Sequence, residues 1–272
     1  MLNNKKIGVL IPLRFNSERL PGKVLMDISG KKQIEWIIER SLKSKYLDCI
    51  VLAVSETECD EISDWYYNEE KVFDKYNEKV LITYGSHDDL MTRTLDAIDE
   101  YDLDIIVSAS GDCTFIDSIL IDKCIERLFE YKADYSANCI TRSFPDGADI
   151  QVHTKEIYER IEKIIPLNHQ TRMWTAWNIF YWREQLNPKP LIVNLEAKPE
   201  YYYPNWRLVL DTIQDKWFIE QIQEHFMQDY IFEKKYPSYK EIIKYLKNHK
   251  ELLKINSSIK STDLLQENLN GK

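Results

Sequence analysis

The feature that most constrains this chain is the alternation of short apolar runs with amphipathic stretches from its first residues onward. Ile7–Pro12, Cys49–Val54, Val80–Tyr84 and Ile105–Ala109 are runs too short for buried helices and read as buried strands. Between and after them, Gln33–Lys45, Glu58–Glu70, Asp88–Tyr101 and Asp117–Lys132 carry apolar residues near helical spacing, as Ile34, Ile37, Ile38 and Leu42 show. Strand and helix in strict turn predict an α/β domain with a mostly parallel central sheet. Farther on the rhythm loosens. Ala133–Ile140, Ala148–His153 and Arg207–Leu210 are expected strands, and Lys155–Ile165, Thr212–Met227 and Ser238–His249 expected helices. The stretch 166–206, rich in Trp, Tyr, Asn and Pro, yields no simple assignment. No repeat or linker divides the chain, so we expect one domain over residues 1–250, an excursion at about 141–206, and a polar tail at 251–272.

Composition narrows the class of function. The 272 residues carry a formal net charge of −9, which disfavours nucleic acid and anionic lipid as general partners. No apolar run approaches the ~20 residues that span a bilayer, and the N-terminal apolar stretch is too short for a signal peptide. Five cysteines without a C-x-x-C pair argue against a disulfide framework or zinc knuckle and for a reducing, cytoplasmic setting. Of only seven glycines, Gly22, Gly30, Gly85, Gly111 and Gly147 fall at strand ends or turns. In an open α/β sheet, ligands bind outside the carboxyl ends of strands, so those turns are where chemistry is expected.

The loop after the first strand runs Leu13-Arg14-Phe15-Asn16-Ser17-Glu18-Arg19-Leu20-Pro21-Gly22-Lys23. Arg14, Arg19 and Lys23 against Glu18 make it locally cationic in an acidic chain. Arginine forks and a lysine point charge suit a polyphosphate; a solvated loop with paired surface charges is the plainer alternative. Neither a Walker loop nor a G-x-G-x-x-G fingerprint is present, which removes support from kinase, ATPase and dehydrogenase readings. Asp112, in Gly111-Asp112-Cys113-Thr114, and Asp211, before Thr212, each follow an expected strand. Two such aspartates fit Mg²⁺, which takes one or two carboxylates with phosphate oxygens and water. A Gly-Asp turn and a helix N-cap are their structural alternatives.

The run R-F-N-S-E-R-L-P-G-K resembles the R-x-x-S-x-R-L-P-G-K signature of cytidylyltransferases that activate sugars for surface polysaccharides, the spore-coat type in particular, with Kdo and acylneuraminate cytidylyltransferases as relatives. The resemblance continues through Gly85-Ser86-His87-Asp88-Asp89, Gly111-Asp112-Cys113, Phe144-Pro145-Asp146-Gly147-Ala148-Asp149 and Arg207-Leu208-Val209-Leu210-Asp211-Thr212. It implies a Rossmann-like nucleotide-diphospho-sugar transferase fold and transfer of CMP from CTP to a sugar-type acceptor, with Mg²⁺ as cofactor and a homodimer as the assembly. It also implies a CTP site of Leu13, Arg14, Ser17, Arg19, Lys23, Asp88, Arg93 and Gly111. Arg14, Arg19 and Lys23 would be catalytic there, Asp112 and Asp211 metal ligands, and Asp149 and His169 acceptor contacts. Thr114 stands where the family has proline, His87 and Gln151 where it has glutamate, and Asp146 where it has arginine. These departures cluster on the acceptor side.

Two other readings are open to this sequence. A nucleotide-sugar-dependent glycosyltransferase would use a D-x-D metal motif, but Asp102-Leu103-Asp104 precedes the fourth strand, at the wrong edge of the sheet. A degenerate, non-catalytic nucleotide-binding member would draw on the departures above. For Trp174, Trp177, Trp182 and Trp206, a place in the core or a dimer interface is the expectation rather than a stacking platform.

Overall fold

A computed structural model describes residues 2–259. Strand β1 (Ile7–Leu13) forms where sequence alternation sends Ile7, Val9, Ile11 and Leu13 to one face and Leu10 to the other. A two-stranded hairpin follows, β2 (Asp27–Ile28) and β3 (Lys31–Lys32), and leads into α1 (Gln33–Ser41). The next strand, β4 (Cys49–Ser55), splits its side chains the same way, with Ile50, Leu52 and Val54 on the β1 odd-residue face. Then come α2 (Asp60–Asp64), α3 (Val72–Lys75), β5 (Val80–Gly85), α4 (Leu90–Glu100), β6 (Ile105–Ser108) and α5 (Ser118–Glu130). The second half supplies β7 (Tyr135–Ala137), β8 (Gln151–Thr154), α6 (Lys155–Glu162), α7 (Trp177–Tyr181), β9 (Ile192–Asn194), α8 (Ile213–Glu233) and α9 (Tyr239–Asn248).

The seven-stranded sheet has the order β5-β4-β1-β6-β8-β7-β9. Pairs β5–β4, β4–β1, β1–β6 and β7–β9 are parallel, while β8 runs antiparallel to both β6 and β7. The α/β expectation holds. Helices α1 and α5 cover one face with an apolar cluster around Ile34, Ile37, Ile121 and Ile125. Helices α4, α6 and α7 cover the other through Met91, Ile98, Ile157, Ile161 and Ile179. A third cluster joins Ile28, Trp36, Phe115, Leu208 and Leu210 to α8 and α9.

Several local expectations need correcting. Arg207–Leu210 is no strand: its neighbours are loops, so it makes a single bridge from Arg207 to Asp146, and Leu210 N donates to Asp112 O at 3.0 Å. The helix expected at Glu58–Glu70 is broken into α2 and a π-helical turn, Trp65–Glu69, whose wider winding lets the adjacent Trp65 and Tyr66 both bury. The strand expected at Ala133–Ile140 keeps only Tyr135–Ala137, because Asn138 turns its side chain onto Ala148 O and Ile150 N. Helix α8 runs past Met227 to Glu233 and ends where Lys234 adopts a left-handed conformation. Part of the expected tail is packed: Leu252, Leu253 and Ile255 join the third cluster, and Asn256 is buried. Residues 260–272 of that tail lie outside the described residues.

Candidate active site

The carboxyl ends of β1, β4, β5 and β6 lie along one edge of the sheet, because these strands are parallel and in register. The antiparallel β8 brings its amino end to the same edge, with Gln151 opposite Ser108, so the segment carrying Asp146 and Asp149 arrives there too. Asp102-Leu103-Asp104 lies at the other edge, where Asp104 Oδ2 accepts from Lys6 N just before β1.

Lys23 is the meeting point. Its Nζ donates to Asp211 Oδ1 at 2.6 Å and to Asp112 Oδ2 at 3.0 Å. Arg19 Nη2 reaches Asp211 Oδ2 at 2.9 Å, and Ser110 Oγ donates to Asp112 Oδ1 at 2.5 Å. Burial works against the Lys23 charge, but Asp112 and Asp211 outweigh it and raise its pKa above the ordinary lysine value. Burial likewise opposes charge on Asp211, yet Lys23, Arg19 and Arg207 hold its carboxyl below the usual aspartate range. The cradle and both distant carboxylates therefore share one point, with the two aspartates set around a single ammonium. Gly111 makes this approach possible: a Cβ there would stand 3.0 Å from Leu13 Cδ2. Leu13 itself turns its side chain into the core, leaving only its backbone toward the edge.

Asp211 is braced from behind by a clamp that sequence reasoning missed. Arg207 Nη2 donates to Asp211 Oδ2 and Asp215 Oδ2, both at 3.0 Å, Nε donates to Asp215 Oδ1, and Nη1 reaches Asp146 Oδ2 at 3.3 Å. Fully buried Asp215 also takes Asp211 N and closes a capping box with Thr212, the N-cap of α8. Asn256 Nδ2 completes it, donating to Asp215 Oδ1 at 3.0 Å. The signal was the i, i+4, i+8 spacing of Arg207, Asp211 and Asp215, which sets three charges around one helix start. Thr114 has a role of its own: its hydroxyl donates to Gln33 Oε1 at 2.9 Å, pinning the Asp112 loop to α1 where the family's proline would stiffen it.

Arg93 is 4% exposed, and neither Nε nor Nη1 has a hydrogen-bond partner among the described residues. Its pKa is lowered by burial and then by the charge of Arg14, with Glu58 and Glu56 acting the other way. Arg14 is exposed and forms no ion pair among the described residues. Two unneutralised guanidinium groups facing one space make a ready anion receptor. Ser17 is buried in the same loop, 8% exposed.

Asp88 is exposed, whereas its neighbour Asp89 caps α4: it accepts from Thr92 N and pairs with Arg172 Nε at 2.6 Å. Arg172 is 1% exposed and also bonds Thr92 and Glu162, docking the 166–206 excursion onto the first turn of α4. His87 bonds Ser55 Oγ through Nδ1. On the acceptor side, Arg142 grips Asp149 with two parallel bonds of 2.8 Å and lies 3.7 Å from Asp146. His169 is set apart from this group: its Nδ1 accepts from Thr171 N, and its ring packs edge-on against Trp182. It makes no hydrogen bond to Lys23, Asp112 or Asp149. The four tryptophans are half-buried; Trp174, Trp177 and Trp182 pack against Tyr181, Phe180 and His169, and Trp206 stacks on Tyr203 at 4.1 Å.

Comparison with known proteins agrees with this geometry. A family model described as cytidylyltransferase matches residues 8–145. The uncharacterized protein MJ1063 of Methanocaldococcus jannaschii is 29% identical over 256 residues, covering 94% of this chain and 96% of that protein. A 3-deoxy-manno-octulosonate cytidylyltransferase of Francisella philomiragia is 32% identical over 147 residues, 53% of this chain. An 8-amino-3,8-dideoxy-manno-octulosonate cytidylyltransferase of Shewanella amazonensis is 27% identical over 158 residues, 56% of this chain. The chain spans 54% and 60% of the lengths of those two enzymes. Among solved structures, a cytidylyltransferase from Leptospira borgpetersenii superposes with a TM-score of 0.78 at 26% identity, covering 95% of this chain and 100% of that one. A CMP:2-keto-3-deoxy-manno-octonic acid synthetase complexed with CTP shares the fold, with a TM-score of 0.55 at 16% identity over 82% of this chain and 99% of that one. Half of its length matches the family model, and the fold and charged edge agree with it: this chain is a nucleotidyltransferase that belongs to the cytidylyltransferase family.

Proposed function

We propose that this enzyme transfers CMP from CTP to a hydroxyl of a sugar or sugar acid, for surface polysaccharide or glycoconjugate synthesis. The observation that carries this reading is Lys23 joined to both Asp112 and Asp211 on the edge where Arg93 keeps Nε and Nη1 without a partner among the described residues. The acceptor oxygen forms a bond to the α-phosphorus, and the bond from that phosphorus to the bridging oxygen breaks. The electron pair leaves on pyrophosphate and the hydroxyl proton is lost to solvent. Such displacements ask the protein mainly for positioning and charge stabilisation. Arg14, Arg19 and Lys23 bear the charge that grows on pyrophosphate. Ser17, Arg93, Asp88 and the backbone at Leu13 and Gly111 line the nucleotide.

Among the described residues no cluster of three or more His, Cys, Asp or Glu forms a metal cage. Asp112 and Asp211 each turn an oxygen to Lys23 Nζ, and these two carboxylates would hold a Mg²⁺, with phosphate oxygens and water, if that ammonium moved onto the phosphates. When bound there, that ion supplies charge neutralisation and polarises the reacting phosphate.

The relatives named as octulosonate cytidylyltransferases support a keto-sugar acid as acceptor class, and Asp149 and His169 are the chain's candidate contacts to it. Residues 141–206 form the acceptor-binding part of one domain over 1–250, and its half-buried tryptophans offer a surface for a second copy. No helix of the described residues is long and apolar enough to cross a membrane, which suits an enzyme that draws on a soluble pool of CTP.

The test is incubation with CTP, Mg²⁺ and a panel of keto-sugar acids, amino sugars and other hydroxyl compounds, followed by pyrophosphate release. Acceptor-dependent release with CTP is expected. Cleavage of a sugar nucleotide without use of CTP assigns a glycosyltransferase instead, and CTP binding without turnover on any acceptor assigns a non-catalytic member.

A further inference from the structure

A cavity of about 260 Å³ lies between the amino ends of α5 and α9, and none of Lys23, Asp112 or Asp211 lines it. Arg40, Lys43, Lys234 and Lys235 line it against one carboxylate, Asp117. That carboxylate is already committed to the helix ends, accepting from Ile119 N, Leu120 N and Tyr239 N at 2.9, 3.1 and 2.6 Å. Its charge still acts on Arg40, and Glu241 pairs with Lys235 at 3.1 Å, so four cations face two carboxylates and the site keeps a net positive charge.

Arg40 is the informative residue. It is 3% exposed, and no carboxylate pairs with it. Nε and Nη2 donate to the carbonyl oxygens of Ile116, Phe115 and Pro237, but Nη1 has no partner among the described residues. Burial pushes its pKa down to about 10, against the nearby charge of Asp117. A buried guanidinium without a counter-ion and with an unused N–H carries an unmet desolvation cost. Among the described residues Lys43 and Lys234 form no ion pair; each lies over a tyrosine ring, Tyr236 and Tyr230.

We propose that this cavity is a second, non-catalytic anion site that takes the phosphoryl dianion of a small molecule. Guanidinium and ammonium donors converging on one cavity are the chemistry that recognises phosphate. The cavity is below the ~300 Å³ at which sites for drug-sized ligands begin, so it suits free phosphate or a small phosphate ester rather than a nucleotide. The same guanidinium fixes the carbonyls of Phe115 and Ile116, on the segment that carries Asp112, so an occupant would steady the loop leading to the active site.

Isothermal titration with inorganic phosphate and, separately, glucose 6-phosphate tests this. The probes are applied to the full chain, to Lys23→Gln and to the surface double variant Lys43→Gln/Lys234→Gln. Binding of one equivalent that persists in Lys23→Gln and weakens at least about tenfold in the double variant is expected, since that variant removes two ammonium donors. Equal affinity for both probes assigns free phosphate as the occupant, and tighter binding of the ester assigns a sugar phosphate. Binding lost in Lys23→Gln, binding unchanged in the double variant, or no saturable binding in the millimolar range overturns the proposal.

Discussion

Lys23 Nζ stands 2.6 Å from Asp211 Oδ1, an ion pair that spans 188 positions of sequence and leaves the two side chains 13% and 8% exposed. Removing the ammonium takes a positive charge from the place where phosphate charge would grow. Asp211 keeps Arg19 and Arg207 as partners, so the fold survives the loss. Lys23→Gln is therefore expected to lower the rate of pyrophosphate release by on the order of 10²–10³ while circular dichroism and the unfolding midpoint stay near wild type. A variant with wild-type turnover removes Lys23 from the mechanism.

The same pair sets a pH dependence. The Asp211 carboxyl is depressed in the folded state, so its contribution to stability is complete above the unfolded value of about 3.9 and is lost as pH falls through the lower folded value. The Lys23 ammonium is raised, so its share is complete below about 10.4 and disappears only as pH rises through the higher folded value. Asp211→Asn should therefore be less stable than wild type at neutral pH, with the gap closing in the acid range. Urea unfolding between pH 2 and 8 reads this, and a gap that stays constant over the whole range contradicts it.

Arg93 offers the opposite trade. Its guanidinium is buried with Nε and Nη1 unpaired, so the free enzyme gains little from it. Replacing it by an apolar side chain of similar length removes an uncompensated charge. Arg93→Met should match or exceed wild-type stability, by about 1 kcal/mol, while KM for CTP rises about tenfold or more. Marked destabilisation with unchanged KM would make Arg93 a structural residue and remove it from the nucleotide site.

Much of this was legible in the sequence. Period-two apolar runs gave β1, β4, β5 and β6, and their carboxyl ends marked where to look. Asp112, Asp211 and Lys23 met as expected because each follows one of those ends or, for Asp211, a loop hydrogen-bonded to one. What stayed hidden depends on tertiary partners. Lys31–Lys32 reads as a surface charge pair and becomes a strand only because Asp27–Ile28 folds back on it. Arg207–Leu210 looks like a strand by composition, yet it meets two loops and so carries a clamp instead. Arg142 and Arg172 gave no local sign of their carboxylate partners, because the second lies 83 positions from Asp89 and the first meets Asp149 within a loop, where no regular period sets the spacing.

The polar segment after α9 hid a buttress. Asn256 is 4% exposed and donates to Arg207 O at 3.2 Å as well as to Asp215. Asn256→Ala leaves both acceptors buried without this donor, and a loss of about 1–2 kcal/mol is expected in chemical unfolding. An effect within a few tenths of a kcal/mol means that residues 252–256 do not dock.

Gly147 sits between Asp146, which meets Arg207, and Asp149, which meets Arg142, at φ +97. A Cβ at this position would stand 2.6 Å from Leu208 O, a backbone atom that cannot swing away. Steric conflict and a left-handed backbone then act together, and Gly147→Ala should cost at least about 2 kcal/mol. Relief requires the Asp146–Leu208 contact to open, which would move Arg207 away from Asp211, so turnover should fall beyond what the loss of folded protein explains. Gly30→Ala is the control. Its φ is also positive, at +83, but it lies in the β2–β3 turn with nothing within 4 Å of the added carbon. That variant should lose only the backbone term, about 1–2 kcal/mol, and keep full activity. Equal activity losses in the two variants would show that the clamp behind Asp211 does not govern the reaction.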